Sequence, residues 1–350
     1  MDPEVVPLQP SKEEEEALRI LLHSLPADHV AIAARACTQW YRNSPAHLRQ
    51  RTSLRALCRS PSLLRWAVEQ EGCPLTEETC AAAASQGEVE VLRWLREEER
   101  GCEWDEWTCA EAAENGHLEV LQWARENGCP WNELTCCRAA LNGHLEVLQW
   151  ARENGCPWDW RTCACAARNG HLEVLRWAKE NGCPWDWRVC CNAAQNGHLE
   201  VLRWARENGC PWNAWTCAEA AESGHLEVLQ WARENGCPWN WMTCSRAALN
   251  GHLKVLQWAR ENGCEWNEHT CEAAAKNGHL EVLKWARENG CPWNEEMVVS
   301  LATKNNHLEV LKWACENGCR PSGLWMLSCA SAARVEVEVH HPHHEHGGVV

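Results

Sequence analysis

The sequence predicts an all-α solenoid of helix-turn-helix units stacked in one direction, and two observations carry that prediction. The first is self-similarity. In this chain of 350 residues, GHLEVLQWARENGCPW begins at Gly116 and returns almost unchanged at Gly143, Gly170, Gly197, Gly224, Gly251 and Gly278, a period of 27 residues. Repetition at a fixed period of this size marks an array whose units bury their apolar faces only against their neighbours. The second is that each unit contains start and stop signals for two short helices.

The unit running from Asn132 to Trp158 shows both helices. Asn132 is a helix N-cap, and its counterparts Asp105, Asp159, Asp186, Asn213, Asn240, Asn267 and Asn294 are all Asn or Asp, whose side chains accept an orphan amide of the first turn. The first helix runs through Thr135, Cys136, Ala139 and Ala140 and stops near Asn142 and Gly143, its small side chains letting neighbouring backbones approach. A second helix starts at His144 or Leu145 and ends at Asn154 and Gly155, where glycine supplies a left-handed C-cap. In the copy at Gly116, Leu118, Val120, Leu121, Trp123 and Ala124 cover roughly 220° of the second helix. An arc that wide predicts contacts with the partner helix and with both neighbouring units. On this reading the repeated Trp belongs to the core.

These residues resemble an ankyrin repeat. GHLEVLQWARENGCPWN from Gly116 is similar to the second helix and exit loop of the ankyrin unit, and Ala112–Ala113 match the paired Ala of its first helix. Trp123 stands where the family has a core Leu, Trp131 where it has a Val, and the His of the family's T-P-L-H motif is missing. The unit is shorter than the usual length of about 33 residues, and the deficit falls between Asn132 and Thr135, where the family's β-hairpin finger projects. The resemblance is to the short, Trp- and Cys-rich variety seen in algae, oomycetes, protists and giant viruses. It covers residues 76–321 and implies a right-handed α-solenoid of ankyrin-like repeats without β-hairpin fingers, serving as a protein-binding scaffold.

Taken in order, residues 1–16 read as a disordered acidic tail, being charged, Pro-bearing and aperiodic. Residues 17–50 read as a helical N-terminal cap or an F-box-like segment. Leu25, Pro26, Ala27 and Asp28, followed by Val30, Cys37 and Trp40, resemble the later part of an F-box, although its opening Leu-Pro-x-Glu is absent. Residues 51–334 form the array, read as ten helix pairs plus a half cap after Cys319. Its end units are degenerate, with Asn306 where other units have Gly. Residues 335–350 form a disordered His-rich tail.

Composition narrows the function. The net charge of −16 argues against a nucleic-acid backbone or an anionic membrane as partner. No apolar run reaches the about 18 residues of a membrane span, and the N-terminus lacks the pattern of a secretory signal. The 25 Cys then predict free thiols in a reducing compartment, the cytoplasm or nucleus. Each unit has a Cys after the loop Gly and another in the first helix, such as Cys129 and Cys136. Their separation is wrong for paired zinc ligands, so they are expected to fill small core slots, with no metal and no cofactor. The repeated His117, His144, His171, His198, His225, His252, His279 and His307 are expected to hydrogen-bond across the stack. No nucleophile–base constellation or phosphate loop stands out, and the chain is expected not to be an enzyme.

Comparison of the copies points to a binding face. Leu118, Val120, Leu121, Trp123 and Gly128 never change, whereas two positions at the start of the first helix do. The first reads Glu106, Glu133, Trp160, Trp187, Ala214, Trp241, Glu268; the second reads Trp107, Leu134, Arg161, Arg188, Trp215, Met242, His269. Trp, Arg and Met are enriched at interfaces. Trp107, Trp160, Arg161, Trp187, Arg188, Trp215, Trp241, Met242 and His269 are therefore the candidate partner-binding residues, on a chain read as a monomer. The partner is a protein whose identity the sequence does not give. The alternative function is a substrate adaptor of a ubiquitin ligase, with residues 17–50 docking the ligase and the array holding the substrate.

Overall fold

The computed structural model describes Cys58, Leu64, Arg65, Val68, residues 75–97 and residues 101–319. The acidic tail, the cap or F-box-like segment at 17–50, the half cap after Cys319 and the His-rich tail lie outside the described residues. Among the described residues there are 18 helices and no strand, arranged as nine helix-turn-helix pairs. The first helices are α1 (Glu77–Gln86), α3 (Glu106–Glu114), α5 (Glu133–Leu141), α7 (Trp160–Arg168), α9 (Trp187–Gln195), α11 (Ala214–Glu222), α13 (Trp241–Leu249), α15 (Glu268–Lys276) and α17 (Glu295–Lys304). The second helices are α2 (Val89–Arg96), α4 (Leu118–Glu126), α6 (Leu145–Glu153), α8 (Leu172–Glu180), α10 (Leu199–Glu207), α12 (Leu226–Glu234), α14 (Leu253–Glu261), α16 (Leu280–Glu288) and α18 (Leu308–Glu316). None is long and apolar enough to cross a membrane.

The chain divides into two compact units, residues 1–162 and 163–350. Within the first, α1 packs on α3 and α3 on α5; within the second, α9, α11, α13, α15 and α17 pack in succession. Each unit is an α-solenoid of helix pairs. First helices lie side by side because their facing residues are small. In α11, Thr216, Cys217, Ala218, Ala220 and Ala221 are all buried. The second helices fill the remaining space with Leu and Val, and Val201, Leu202 and Ala205 of α10 are buried.

The caps predicted from sequence form. Asp105 accepts from the Trp107 amide at 3.0 Å, Asn132 from Leu134 at 2.9 Å and Asp186 from Arg188 at 2.9 Å. The turns are equally local. After α7, the His171 amide donates to the Ala166 carbonyl at 2.9 Å and the Gly170 amide to Ala167 at 3.4 Å; after α8, Cys183 donates to Ala178 at 2.9 Å and Gly182 to Lys179 at 3.1 Å. Both are Schellman motifs. Their glycines take φ of +77° and +81°, where a Cβ would be strained. Asn306 takes the same role with φ of +59°, since Asn tolerates the left-handed region better than other non-glycine residues.

Candidate functional site

The variable positions lie in the first turn of each first helix, held by the cap. Trp107 is 39% exposed, Trp160 36%, Trp215 38% and Trp241 37%, so each leaves about a third of its surface to solvent. Trp187, Arg161, Arg188 and Met242 are half-buried, and His269 is exposed. In the first unit the Arg138 guanidinium lies 5.6 Å from the Trp107 ring and pairs with Glu114. In the second, Arg246 lies 4.8 Å from the Trp215 ring, reaches Glu219 at 3.5 Å and pairs with Glu222. Trp241 meets His269 of the following repeat at 5.2 Å, and His269 Nδ1 is 2.8 Å from Glu272. Arg161 bridges Asp159 at 2.7 Å and Glu133 at 2.8 Å, and Asp159 before Glu133 holds its guanidinium above the ordinary pKa.

Within each unit this edge is thus aromatic, with its cations largely matched by carboxylates of the same or neighbouring repeat. At this exposure each ion pair contributes about 0–1 kcal/mol, so the pairs orient side chains more than they stabilise the fold. Arg138 and Arg246 were not among the residues predicted from sequence. A signal existed: each follows, one period on, a unit carrying Glu at two first-helix positions, Glu111 and Glu114 or Glu219 and Glu222.

A second aromatic row corrects the core assignment of the repeated Trp. Trp123, Trp150, Trp204 and Trp231 are half-buried, while Leu121, Leu148, Leu202 and Leu229 take the deep positions. Each of these Trp makes an edge-on contact with the Trp after the preceding loop: Trp104 with Trp123 at 5.9 Å, Trp131 with Trp150 at 5.9 Å, Trp185 with Trp204 at 5.8 Å and Trp212 with Trp231 at 6.0 Å. A cation then covers the post-loop ring, Arg125 over Trp131 at 4.1 Å and Arg206 over Trp212 at 4.0 Å, while donating to the carbonyls of Cys129 and Cys210. The indole is too large for a layer lined by Ala and Cys. It is stacked at the rim, where a T-shaped pair is worth about 1 kcal/mol and a cation–π contact about 0.5–2.

Several of the repeated His bond across the stack, to backbone. His144 Nε2 is 3.1 Å from the Glu114 carbonyl, His198 Nε2 3.1 Å from Arg168 and His307 Nε2 2.9 Å from Lys276. Burial lowers the pKa of His252 and His279, which favours the neutral ring, whose Nε2–H can donate to the carbonyl.

Cysteines pair differently from their order along the chain. Cys129 meets Cys109 of its own unit, not Cys136, because the loop after the second helix folds back over the first. Cys80 and Cys102 place their sulfurs 3.4 Å apart. The same thiol–thiol hydrogen bond joins Cys109 to Cys129, Cys163 to Cys183, Cys190 to Cys210, Cys217 to Cys237, Cys244 to Cys264 and Cys271 to Cys291. No described Cys is in a disulfide, and all of them are buried except Cys165 and Cys315, which are half-buried. No group of three or more His, Cys, Asp or Glu placed to hold a metal occurs among the described residues. Thiol titration in denaturant is expected to recover close to 25 thiols, with native labelling fast at Cys165 and slow at Cys136 and Cys163; uniform native labelling would contradict this packing.

The comparisons match this geometry. A family model described as ankyrin repeats (many copies) matches residues 109–152, from the first helix of one unit into the second helix of the next. No curated protein matches the chain. Among solved structures, the chain is similar to the human ASB11 ankyrin repeat domain at 18% identity, over 51% of this chain and 96% of that one, with a TM-score of 0.40. Residues 109–152 thus match ankyrin repeats, and the matched unit recurs at the same period along the array.

Proposed function

We propose that this chain is a non-enzymatic scaffold that holds a basic protein partner along the N-terminal ends of its first helices. The observation that carries the proposal is the partial exposure of Trp107, Trp160, Trp215 and Trp241 at positions that vary between otherwise near-identical units. A large ring already ordered by a neighbouring Arg or His loses little entropy on binding and suits a hot spot. Arg161, Trp187, Arg188, Met242 and His269 complete the face. Ankyrin repeats are protein-interaction modules, and the choice of a basic partner rests on charge. The chain carries −16, and Glu146, Glu173, Glu200 and Glu227 are exposed on the second helices. The free thiols support a reducing compartment, the cytoplasm or nucleus.

The test immobilises the native chain, identifies the retained partner by mass spectrometry, and compares its affinity for Trp187→Ala/Arg188→Ala. The melting temperature should stay within about 5 °C, while affinity falls about tenfold or more. Unchanged affinity in a folded double variant would remove this face from the proposal.

A further inference from the structure

Most described repeats close a pair of thiols into their own interior, the last being an exception with Val298 where the others carry the first-helix Cys. In the second unit, Cys217 and Cys237 are 0% exposed, as are Cys244 and Cys264. The post-loop thiol also donates to the carbonyl of its unit's N-cap residue, Cys237 to Asn213 at 3.5 Å and Cys264 to Asn240 at 3.3 Å. Beside the pairs lie the hydroxyls of Thr243 and Thr270, which reach toward Cys264 and Cys291 yet make no hydrogen bond of standard geometry despite full burial. A guanidinium stands close by: Arg233 donates to the Cys237 carbonyl at 2.5 Å. The repeat interior therefore offers two soft sulfur ligands, an unsatisfied hydroxyl and a compensating positive charge, shut off from water.

We propose that these thiol pairs are binding sites for copper(I), one ion per pair, held by the two sulfurs of a single repeat. Zinc and other tetrahedral ions need four ligands, and among the described residues no group of three or more His, Cys, Asp or Glu is placed to hold a metal. A soft monovalent ion that accepts two thiolates is the class that fits. On binding, both S–H bonds break, two protons leave to solvent, two S–Cu bonds form and the sulfurs part to admit the ion. The resulting site carries one negative charge, which the nearby Arg balances. The sulfurs are already set face to face, with Cys264 and Cys291 accepting hydrogen bonds from Cys244 and Cys271. Cys191 has no thiol partner of this kind, and burial pushes it up to about 12. Cys191 is therefore the internal control.

The experiment titrates the full chain anaerobically with copper(I), supplied as its acetonitrile complex, against a chromophoric copper(I) chelator. Thiolate-to-copper absorption in the ultraviolet and far-UV circular dichroism are followed together. The native chain is expected to withdraw several equivalents with its helices intact. Cys217→Ala/Cys237→Ala should take up one equivalent fewer, and Cys191→Ala as many as the native chain. The Cys217→Ser/Cys237→Ser variant repeats the test should the alanine pair fail to fold. Uptake unchanged in a folded double variant, no thiolate band, or loss of helix as copper enters would each overturn the proposal.

Discussion

Replacing Gly170 by alanine is expected to destabilise the array by about 3 kcal/mol or more, whereas Gly182→Ala, one turn later in the same repeat, costs about 1–2 kcal/mol. Both glycines sit at positive φ, +77° and +81°, so both substitutions carry the left-handed penalty. Their surroundings differ. A Cβ on Gly170 would stand 2.8 Å from Nδ1 and 2.9 Å from Cε1 of His198, one repeat on, while one on Gly182 would meet nothing within 4 Å. The ring cannot simply swing aside, because His198 Nε2 is tied to the Arg168 carbonyl at 3.1 Å. The added methyl must either separate two repeats or cost that bond. In Gly170→Ala/His198→Ala the excess over the single left-handed penalty should shrink, giving a coupling energy of about 1 kcal/mol or more in a double-mutant cycle. Equal denaturation midpoints for the two glycine variants would mean that the Gly–His contact does not hold repeats together.

The second large effect contrasts two neighbours on one helix. Leu202→Ala should cost about 3–4 kcal/mol, in the range for a fully buried leucine, since Leu202 is 0% exposed. Trp204→Ala, two residues along, should cost about 2 kcal/mol despite removing a larger side chain, because Trp204 is half-buried and loses chiefly its edge contact with Trp185 at 5.8 Å. A Trp placed in the core, as the helical projection alone implies, would cost more than the Leu. Chemical denaturation of both variants, with the slope checked for loss of cooperativity expected in a linear array, decides between the two. If Trp204→Ala costs as much as Leu202→Ala, the rim placement is wrong.

Everything settled within one unit could be read from the residues alone. The 27-residue period, the Asn and Asp caps and the glycine turns all rest on hydrogen bonds spanning a few residues, and the structure places them where the residues predict. The cross-stack bonds of His144, His198 and His307 were legible too, although their acceptor, a carbonyl at the end of the preceding first helix, was not. Three features depend on packing between repeats or between distant parts of one. Trp204 is as apolar as Leu202 and falls on the same helical arc, yet the space between layers of Ala and Cys admits a leucine and not an indole. Cys129 stands nearer along the chain to Cys136 than to Cys109, and the fold-back of the exit loop reverses that order. Arg138 and Arg246 become part of the candidate face because side-by-side packing of first helices carries each over a ring one repeat away. Periodicity reports which residues share a side of a helix; how deep each sits, and what meets it across a repeat boundary, depends on the volumes and register of the neighbours.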